Sequence, residues 1–209
     1  MKTDYAKLKR QDFQLTVNKH LAHLIFHQMT DLAPAFNYVD SHIELDVSNW
    51  GEFTVDELFE VKYGINMELV NCEQRRDWCE TKTVNFVART ENDNGVVACV
   101  DIVPGKEPQP AGLITCAGGG SVLSTFVQRR NFYSGRDLYL LTPKNKMSIY
   151  AKLFCCTVIE ANKYRFSYGR QANKTLPSLQ LKLPITANGL PDFTYMETYM
   201  KSLLYSDRI

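Results

Sequence analysis

Several features that would assign this 209-residue chain to a common class are missing from its sequence. No apolar run approaches the ~20 residues needed to span a membrane, and residues 1–12 hold no apolar stretch of the signal-peptide kind. The six cysteines form no CxxC pair, and residues 118–121 lack the Gly-Lys-Ser/Thr end of a phosphate-binding loop. These absences predict a soluble, cytoplasmic protein with reduced, buried thiols and no membrane partner.

The charge of the chain is balanced overall but not along its length. Hydrophobic residues make up 44% of the sequence and charged residues 22%, which is typical of a folded domain. Residues 41–80 contain ten acidic and three basic residues, a net charge of −7, whereas residues 121–175 contain ten basic and two acidic residues, a net charge of +8. This separation predicts a negative and a positive face, and a positive face suits an anionic partner such as DNA or RNA.

The N-terminal part predicts an amphipathic helix over residues 11–33, because its apolar residues recur on one helical face. Pro34 should end this helix, since proline disfavours helical geometry in the preceding residue. Three histidines share a neighbouring stripe at a spacing that helical metal sites also use: His20, His23 and His27. No carboxylate or cysteine close by completes such a site, so we interpret the stripe as a polar flank and predict no metal.

A dense apolar segment at residues 50–64 predicts a short strand, one helical turn and a second strand. Within it, Glu60 and Lys62 match the E-x-K half of a nuclease metal site, with Asp46 as an upstream carboxylate. The pattern fixes only two positions, so it occurs often by chance. A metal-dependent nuclease built on these three residues is kept as the enzymatic alternative.

The middle of the chain predicts a series of short strands. Alternating or β-branched runs place them at residues 83–90, 96–103, 111–116, 122–126 and 137–141. Asn94-Gly95 predicts a tight turn between the first two, since both residues readily adopt positive φ. Residues 148–159 fit either a helix or a strand. A further helix should begin after Asp192, where a Gly-Leu-Pro-Asp sequence precedes apolar residues at helical spacing.

Two segments combine cations, amides and aromatics as expected of a surface that binds nucleic acid. Residues 163–184 predict two alternating strands that hold a loop with Arg170, Asn173 and Lys174, although an edge hairpin with solvated lysines would give the same pattern. Residues 128–133 contain a glutamine, two arginines and two aromatics. Arginine binds guanine and glutamine binds adenine through paired hydrogen bonds, so this segment is a candidate base-reading element.

Residue types divide the candidate DNA contacts into two groups. Those expected near bases are Gln128, Arg129, Arg130, Tyr133, Tyr168, Arg170 and Asn173. Those expected at phosphates are Lys144, Lys146, Arg165 and Lys174. The second group should contribute affinity but little sequence specificity. The alternative for every one of them is a solvated surface residue.

The order of these motifs resembles the target recognition domain of type I restriction–modification specificity subunits and related single-chain restriction–modification enzymes. The resemblance begins with Trp-Gly-x-Phe-x-Val-x-x-Leu-Phe at 50–59, Asn-Phe-Val-Ala-Arg-Thr at 85–90 and Asn94-Gly95. It continues with Ala-Gly-Leu-Ile-Thr at 111–115, Gly120, Phe-Val-Gln at 126–128, Asn-Phe-Tyr at 131–133 and Leu-Leu-Thr-Pro-Lys at 140–144. It closes with Phe-Ser-Tyr-Gly-Arg at 166–170, Leu-Lys-Leu-Pro at 181–184 and Pro-Asp-Phe-x-Tyr-Met-Glu at 191–197.

The resemblance implies an α+β fold: a twisted, β-rich target recognition domain with short helices, flanked by an N-terminal helix and a C-terminal amphipathic helix. The corresponding divisions are residues 1–47, 48–184 and 185–209. In this family the subunit does no chemistry and needs no cofactor of its own. It binds double-stranded DNA and positions a DNA methyltransferase, and through it an endonuclease, on a defined sequence. The absence of an Asn/Asp-Pro-Pro-Tyr methyltransferase motif agrees with that role.

Two departures from the family pattern leave alternatives open. Typical specificity subunits carry two recognition domains joined by long helices, whereas the resemblance here covers one domain and a short C-terminal helix. The chain would then be a half-subunit that forms a homodimer through its terminal helices, a partner in a single-domain system, or a module of a larger polypeptide. The N-terminal helix has no counterpart in the family pattern. An inhibitor that imitates the recognition subunit is a further alternative, and the basic region at 121–175 argues against it.

Overall fold

The computed structural model describes residues 45, 47–48, 50–79, 81–166 and 170–203. The strands within this part are β1 (Trp50–Thr54), β2 (Phe59–Tyr63), β3 (Gln74–Arg75), β4 (Thr83–Val87), β5 (Val96–Asp101), β6 (Ile114–Ala117), β7 (Thr125–Val127), β8 (Phe132–Ser134), β9 (Leu138–Pro143) and β10 (Gln180–Pro184). The α-helices are α1 (Val55–Leu58), α2 (Ile149–Glu160) and α3 (Phe193–Lys201). The helix predicted at 11–33, with its three histidines, lies outside the described residues.

The strands form two four-stranded sheets and one ribbon, which confirms the predicted α+β class. One sheet has the order β2-β9-β6-β7, the other β3-β5-β4-β8, and β1 pairs with β10. Neighbouring strands are antiparallel except β4 and β8, which run parallel. Val87, Phe132 and Leu138 belong to an apolar cluster that joins residues of both sheets.

Helix α2 provides much of the main core. Eight of its twelve residues are buried, from Ala151 to Ile159, and it contacts β7, β10 and α3. A helix covered on several sides needs apolar residues around most of its circumference, which explains why its sequence fitted a strand equally well. Ser148 caps the helix by accepting a hydrogen bond from the Ala151 backbone N–H at 3.3 Å.

Several sequence predictions are confirmed at the level of single elements. Residues 50–64 form strand β1, the single turn α1 and strand β2 in the predicted order. The turn between β4 and β5 places Asn94 and Gly95 at φ values of 56° and 78°, as an Asn-Gly turn requires. Helix α3 begins after Asp192, whose carboxylate accepts a hydrogen bond from the Tyr195 N–H at 2.8 Å.

The predicted strand at 163–168 is wrong over its described part. Lys163–Phe166 forms a 3-10 turn that follows closely after α2, and the Arg165 N–H donates to the Asn162 carbonyl at 3.0 Å. The alternation of aromatic and charged residues therefore reflects a turn with its cations in solvent, and Tyr168 lies outside the described residues. The second half of the predicted hairpin does form a strand, β10, but its partner is β1.

Candidate nucleic-acid interface

Strand register gives the β2-β9-β6-β7 sheet two distinct ends. Ile114 on β6 lies opposite Val127 on β7 and Leu141 on β9. At the other end of β6, Ala117 lies opposite Leu138. The chain that continues past Val127 and Leu141 therefore emerges at what we call the Ile114 end, whereas residues 118–120 and the loop before β9 emerge at the Ala117 end.

The predicted DNA-contact residues are divided between these two ends. Arg129 and Arg130 follow β7, and Lys144 and Lys146 follow β9, so all four leave the sheet at the Ile114 end. The segment at 170–174 lies at the Ala117 end, because the Ala172 N–H donates to the Gly118 carbonyl at 2.8 Å. The cations of the +8 segment are therefore divided between the two ends of this sheet.

Gln128 and Tyr133 have structural roles. Gln128 is fully buried and its Nε2 donates to the Asn94 carbonyl at 3.0 Å and to Thr115 Oγ1 at 2.9 Å. Tyr133 is also fully buried, and its hydroxyl donates to the Lys106 carbonyl at 2.8 Å. Both polar groups are directed into the protein, where they hold loops against strands, so the candidate interface is redrawn without them.

The cations at the Ile114 end make local contacts. The Arg130 guanidinium lies 4.2 Å from the centroid of the Trp78 ring, a cation–π arrangement. Lys144 Nζ donates to the Asp56 carbonyl, and the side chains of Arg129 and Lys146 are exposed. This end presents positive charge, and the exposed amides of Asn131 and Asn145 lie beside these cations in the sequence.

The Ala117 end has a different chemical character, because polar side chains from three loops and from the end of strand β2 converge there around Gly119. A Cβ placed on Gly119 would lie 3.4 Å from Arg89 Nη1, 3.5 Å from Gln171 Nε2 and 3.6 Å from Asp137 Oδ2. We call the surrounding set the Gly119 cluster; its members are Tyr63, Arg89, Asp137, Gln171 and Asn173. Guanidinium, amide and carboxylate groups are the side-chain types that distinguish base edges in a DNA groove.

Hydrogen bonds fix the centre of the Gly119 cluster. Arg89 Nη1 donates to Asp137 Oδ2 at 2.6 Å, with the two side chains 32% and 19% exposed. The Tyr63 hydroxyl donates to Asp137 Oδ1 at 3.1 Å and accepts from the Asp137 backbone N–H at 2.9 Å. Asp137 has φ of 54°, a left-handed conformation that aspartate tolerates better than most residues. Burial, and then the neighbouring Tyr63 and Asp137, raise the pKa of Tyr139, so that ring stays neutral beside the pair.

The two amide side chains of the Gly119 cluster, Gln171 and Asn173, are also in direct contact. Asn173 Nδ2 donates to Gln171 Oε1 at 3.0 Å. A Cβ on Gly118 would lie only 2.1 Å from Asn173 Oδ1, so glycine is what allows this approach. Among the described residues, Asn173 Oδ1 is one of four buried side-chain polar atoms without a hydrogen-bond partner.

Exposed cations surround the Gly119 cluster. Arg136 precedes Asp137, Arg170 precedes Gln171, and Lys174 follows Asn173, and all three are exposed. Lys163 Nζ pairs with Glu91 at 2.8 Å, which ties the 3-10 turn carrying exposed Arg165 to the β4–β5 loop. Exposed positive charge thus borders the polar centre of the cluster. In proteins that bind duplex DNA, contacts between such cations and phosphates orient the protein.

Of the five members of the Gly119 cluster, the sequence predicted only Asn173 as a DNA contact. Tyr63, Arg89 and Asp137 come from separate elements, and no local motif connects them. One signal was present: Asp137 is one of only two acidic residues in the basic stretch 121–175. An isolated carboxylate in such a stretch often pairs with a specific cation, and here the cation is Arg89.

The residues of the nuclease alternative form an exposed ion pair on an edge strand. Lys62 Nζ lies 2.8 Å from Glu60 Oε1, with the side chains 64% and 54% exposed, and Asp46 lies outside the described residues. No group of three or more His, Cys, Asp or Glu residues in the described part of the chain could hold a metal ion. In the same part, no helix has the length and apolar character needed to cross a membrane.

The chain was compared with known proteins in sequence and in fold. No family model matches the chain. Over 161 residues it is 29% identical to the specificity subunit S.BcgI of a type II restriction enzyme from Heyndrickxia coagulans. That alignment covers 74% of this chain and 44% of the subunit, so the chain spans less than half the length of this relative.

Solved structures share the fold. The HsdS subunit from Thermoanaerobacter tengcongensis matches with a TM-score of 0.53 at 15% identity, covering 97% of this chain and 44% of that one. The type I restriction–modification S subunit from M. genitalium gives 0.55 at 12% identity, with 97% and 48% covered. A chain from a study of type I restriction–modification complex assembly gives 0.54 at 13% identity, with 97% and 47% covered. In sequence and in fold, the chain is similar to restriction–modification specificity subunits.

Proposed function

We propose that the chain is a non-catalytic, sequence-specific DNA-recognition component of a restriction–modification system. The observation that carries the proposal is the Gly119 cluster, in which guanidinium, carboxylate and amide groups converge on a glycine backbone inside a border of exposed cations. The similarity of the chain to a restriction–modification specificity subunit supports the same function. The exposed Glu60–Lys62 pair gives the nuclease alternative no support.

The proposed DNA-binding surface lies at the Ala117 end. Arg136, Arg165, Arg170 and Lys174 would neutralise phosphates there, and Tyr168 belongs to the same segment of the chain. A duplex bound at this end would meet the Gly119 cluster between those cations. The four cations at the Ile114 end would form a second, separate patch that contributes little to sequence specificity.

We also propose a domain division, binding partners and a cellular location for the chain. The recognition domain would comprise residues 48–184, with residues 1–47 and 185–209 as flanking helical segments. Through these segments the chain would contact a DNA methyltransferase, and through it an endonuclease, or a second copy of itself in a homodimer. The complex would act in the cytoplasm, where the DNA to be methylated is found.

Selection from random DNA tests the proposal. The tagged full chain, recovered from its own cells with any bound partners, is incubated with random-sequence duplexes, and the bound fraction is sequenced. We expect one motif to be enriched, and the same motif to lose its methylation in cells that lack the gene. Recovery of a methyltransferase without any DNA affinity would support the inhibitor alternative instead, and enrichment of no motif together with an unchanged methylome would overturn the proposal.

Salt dependence tests where the duplex binds. Each phosphate contact contributes about −0.9 to the slope of log K against log salt. Replacing Arg165, Arg170 and Lys174 by alanine should therefore flatten the slope by about 3 if all three contact phosphates. Lys182→Ala is the matched control, because Lys182 is an exposed cation on β10 that pairs with Glu52 at 3.5 Å. A slope change of about 1 in the control, equal to the test variant per charge removed, would mean that binding reflects total charge and not this surface.

A further inference from the structure

We propose that Arg89 and Gln171 are specificity-determining residues that bind base edges, and that Asp137 and Tyr63 are positioning residues for the Arg89 guanidinium. This inference rests on the proposed DNA-binding function. It assigns sequence reading to two residues that lie outside the segment at 128–133, where residue types alone had placed much of it. The expected ligands are purines, because arginine pairs with guanine and glutamine with adenine through two hydrogen bonds each.

Arg89 and Gln171 converge on one point of the site. Arg89 Nη1 and Gln171 Nε2 lie within 3.5 Å of the same point above Gly119, and the major groove is about 12 Å wide. Two donors that close together can address one base pair or two adjacent base pairs. Gly119 has no side chain to fill the space between them, so the floor of the site is backbone.

The Arg89 guanidinium is held in place before DNA arrives. Its described contact with Asp137 uses one of the five N–H donors of the arginine side chain. Asp137 is held in turn by the Tyr63 hydroxyl, which bonds to both its carboxylate and its backbone N–H. A long side chain fixed in this way loses less conformational entropy on binding, so more of the contact energy contributes to discrimination.

Gln171 is also held in one orientation. Its side chain is exposed, and its Oε1 accepts from Asn173 Nδ2 at 3.0 Å. This bond fixes the orientation of the amide, so that Nε2 is the atom found beside Arg89 and Asp137 over Gly119. An oriented donor and acceptor pair at the surface is what reading an adenine edge requires.

A purely structural role for the Arg89–Asp137 pair is the competing explanation, since the pair also joins the loop after β4 to the loop before β9. The two explanations differ in what a conservative substitution changes. Arg89→Lys keeps the positive charge and can keep the ion pair, but lysine lacks the planar fork that binds guanine through two hydrogen bonds. Base preference should therefore change while the thermal stability of the fold does not.

The test uses the same random-duplex selection with the full chain carrying Arg89→Lys, Gln171→Leu, Tyr63→Phe or Asp137→Asn. Arg89→Lys and Gln171→Leu should each relax one position of the motif and lower affinity for the intact motif on the order of 10- to 100-fold. Affinity for unrelated duplexes should stay within about twofold, because phosphate contacts dominate it. Tyr63→Phe and Asp137→Asn should relax the same position as Arg89→Lys.

Matched variants separate the outcomes. Arg170→Ala should weaken binding to every duplex without changing the motif, and Lys182→Ala should change neither. If Arg89→Lys and Gln171→Leu retain the full motif and affinity, the inference is overturned although the chain still recognises DNA. If Tyr63→Phe and Asp137→Asn lower only the melting temperature and leave the motif unchanged, the positioning role is overturned. If the unsubstituted chain enriches no motif, the proposed function itself fails.

Discussion

Gly118 and Gly119 provide a test in which two neighbouring substitutions should have opposite consequences. Both glycines are buried, and neither has a positive φ, so the backbone accepts alanine at either position. What differs is the surroundings of the added methyl group. At Gly118 it would enter occupied space, whereas at Gly119 it would enter the centre of the proposed reading site.

Gly118→Ala should destabilise the fold. The new Cβ would lie 2.1 Å from Asn173 Oδ1 and 2.7 Å from Tyr139 Cε2. The amide can rotate away, at the expense of its bond to Gln171, but the Tyr139 ring packs edge-to-face on Tyr63 with centroids 5.2 Å apart. Overpacking costs ~1–3 kcal/mol, and because one of the two neighbours is flexible we expect about 1–2 kcal/mol. For a chain of this size that lowers the melting temperature by about 2–8 °C.

Gly119→Ala should leave stability nearly unchanged but weaken DNA binding. Its nearest neighbours would be 3.4–3.6 Å away, close to ordinary van der Waals contact. Stability should therefore change by less than ~0.5 kcal/mol, partly because alanine restricts the unfolded chain. The methyl group would stand between Arg89 and Gln171 and keep a base edge from both.

Thermal melting and urea titration measure the loss of stability expected for Gly118→Ala. Affinity for the selected motif, compared with affinity for an unrelated duplex, measures the loss of DNA binding expected for Gly119→Ala. A Gly119→Ala protein that is less stable than Gly118→Ala would refute the packing analysis. A Gly119→Ala protein that is stable and binds its motif normally would show that the cluster floor is not covered by DNA.

Three further outcomes follow from the structure. The hydrogen bond from Arg75 lowers the pKa of Asp101. This carboxylate therefore stabilises the fold at pH values above its unfolded pKa, and the stabilisation is lost as the pH falls through the lowered, folded-state pKa. In the Arg75→Gln variant, an NMR titration should show the pKa of Asp101 returning toward its ordinary value. Hydrogen bonding from Thr81 lowers the pKa of exposed Cys79, so iodoacetamide should label it ahead of buried Cys116 and Cys155, whose pKa values burial raises to about 12, as peptide mass spectrometry can check. Phe154→Ala should cost ~3–5 kcal/mol in urea denaturation because the ring is fully buried between Trp50 and Tyr199, whereas Leu190→Ala, at a 63% exposed side chain, should stay within ~0.5 kcal/mol.

Features of the fold that depend on local chemistry were predictable from the sequence. The Asn94-Gly95 turn and the Asp192 cap follow from backbone preferences that neighbouring elements do not override. The resemblance to specificity subunits is confirmed for the same reason, since its motifs mark turns and buried strands that keep the fold. Lys163–Phe166 was mistaken for a strand because alternation by itself does not supply a sheet partner, and β10 pairs with β1 instead.

Side-chain direction explains most of what residue types could not predict. Gln128 directly follows β7, where its amide is drawn inward by the carbonyl of half-buried Asn94 and the hydroxyl of buried Thr115. Composition predicts that such a residue can bind adenine, but not that two internal partners already occupy its donors. The neighbouring Arg129 and Arg130 remain at the surface, because a guanidinium is far more costly to bury than a neutral amide.

The Gly119 cluster depends on long-range geometry, which no local pattern contains. Arg89 and Asp137 are brought together because β4 runs parallel to β8, so both strands deliver their following loops to the same edge. That arrangement places one cation and one anion 2.6 Å apart, although 48 positions separate them in the sequence. Judged by charge alone, the adjacent cations Arg129 and Arg130 are better candidates for base contacts than the single Arg89. Reading a base edge depends instead on a donor held in one direction, and the ion pair with Asp137 holds the Arg89 guanidinium in that way.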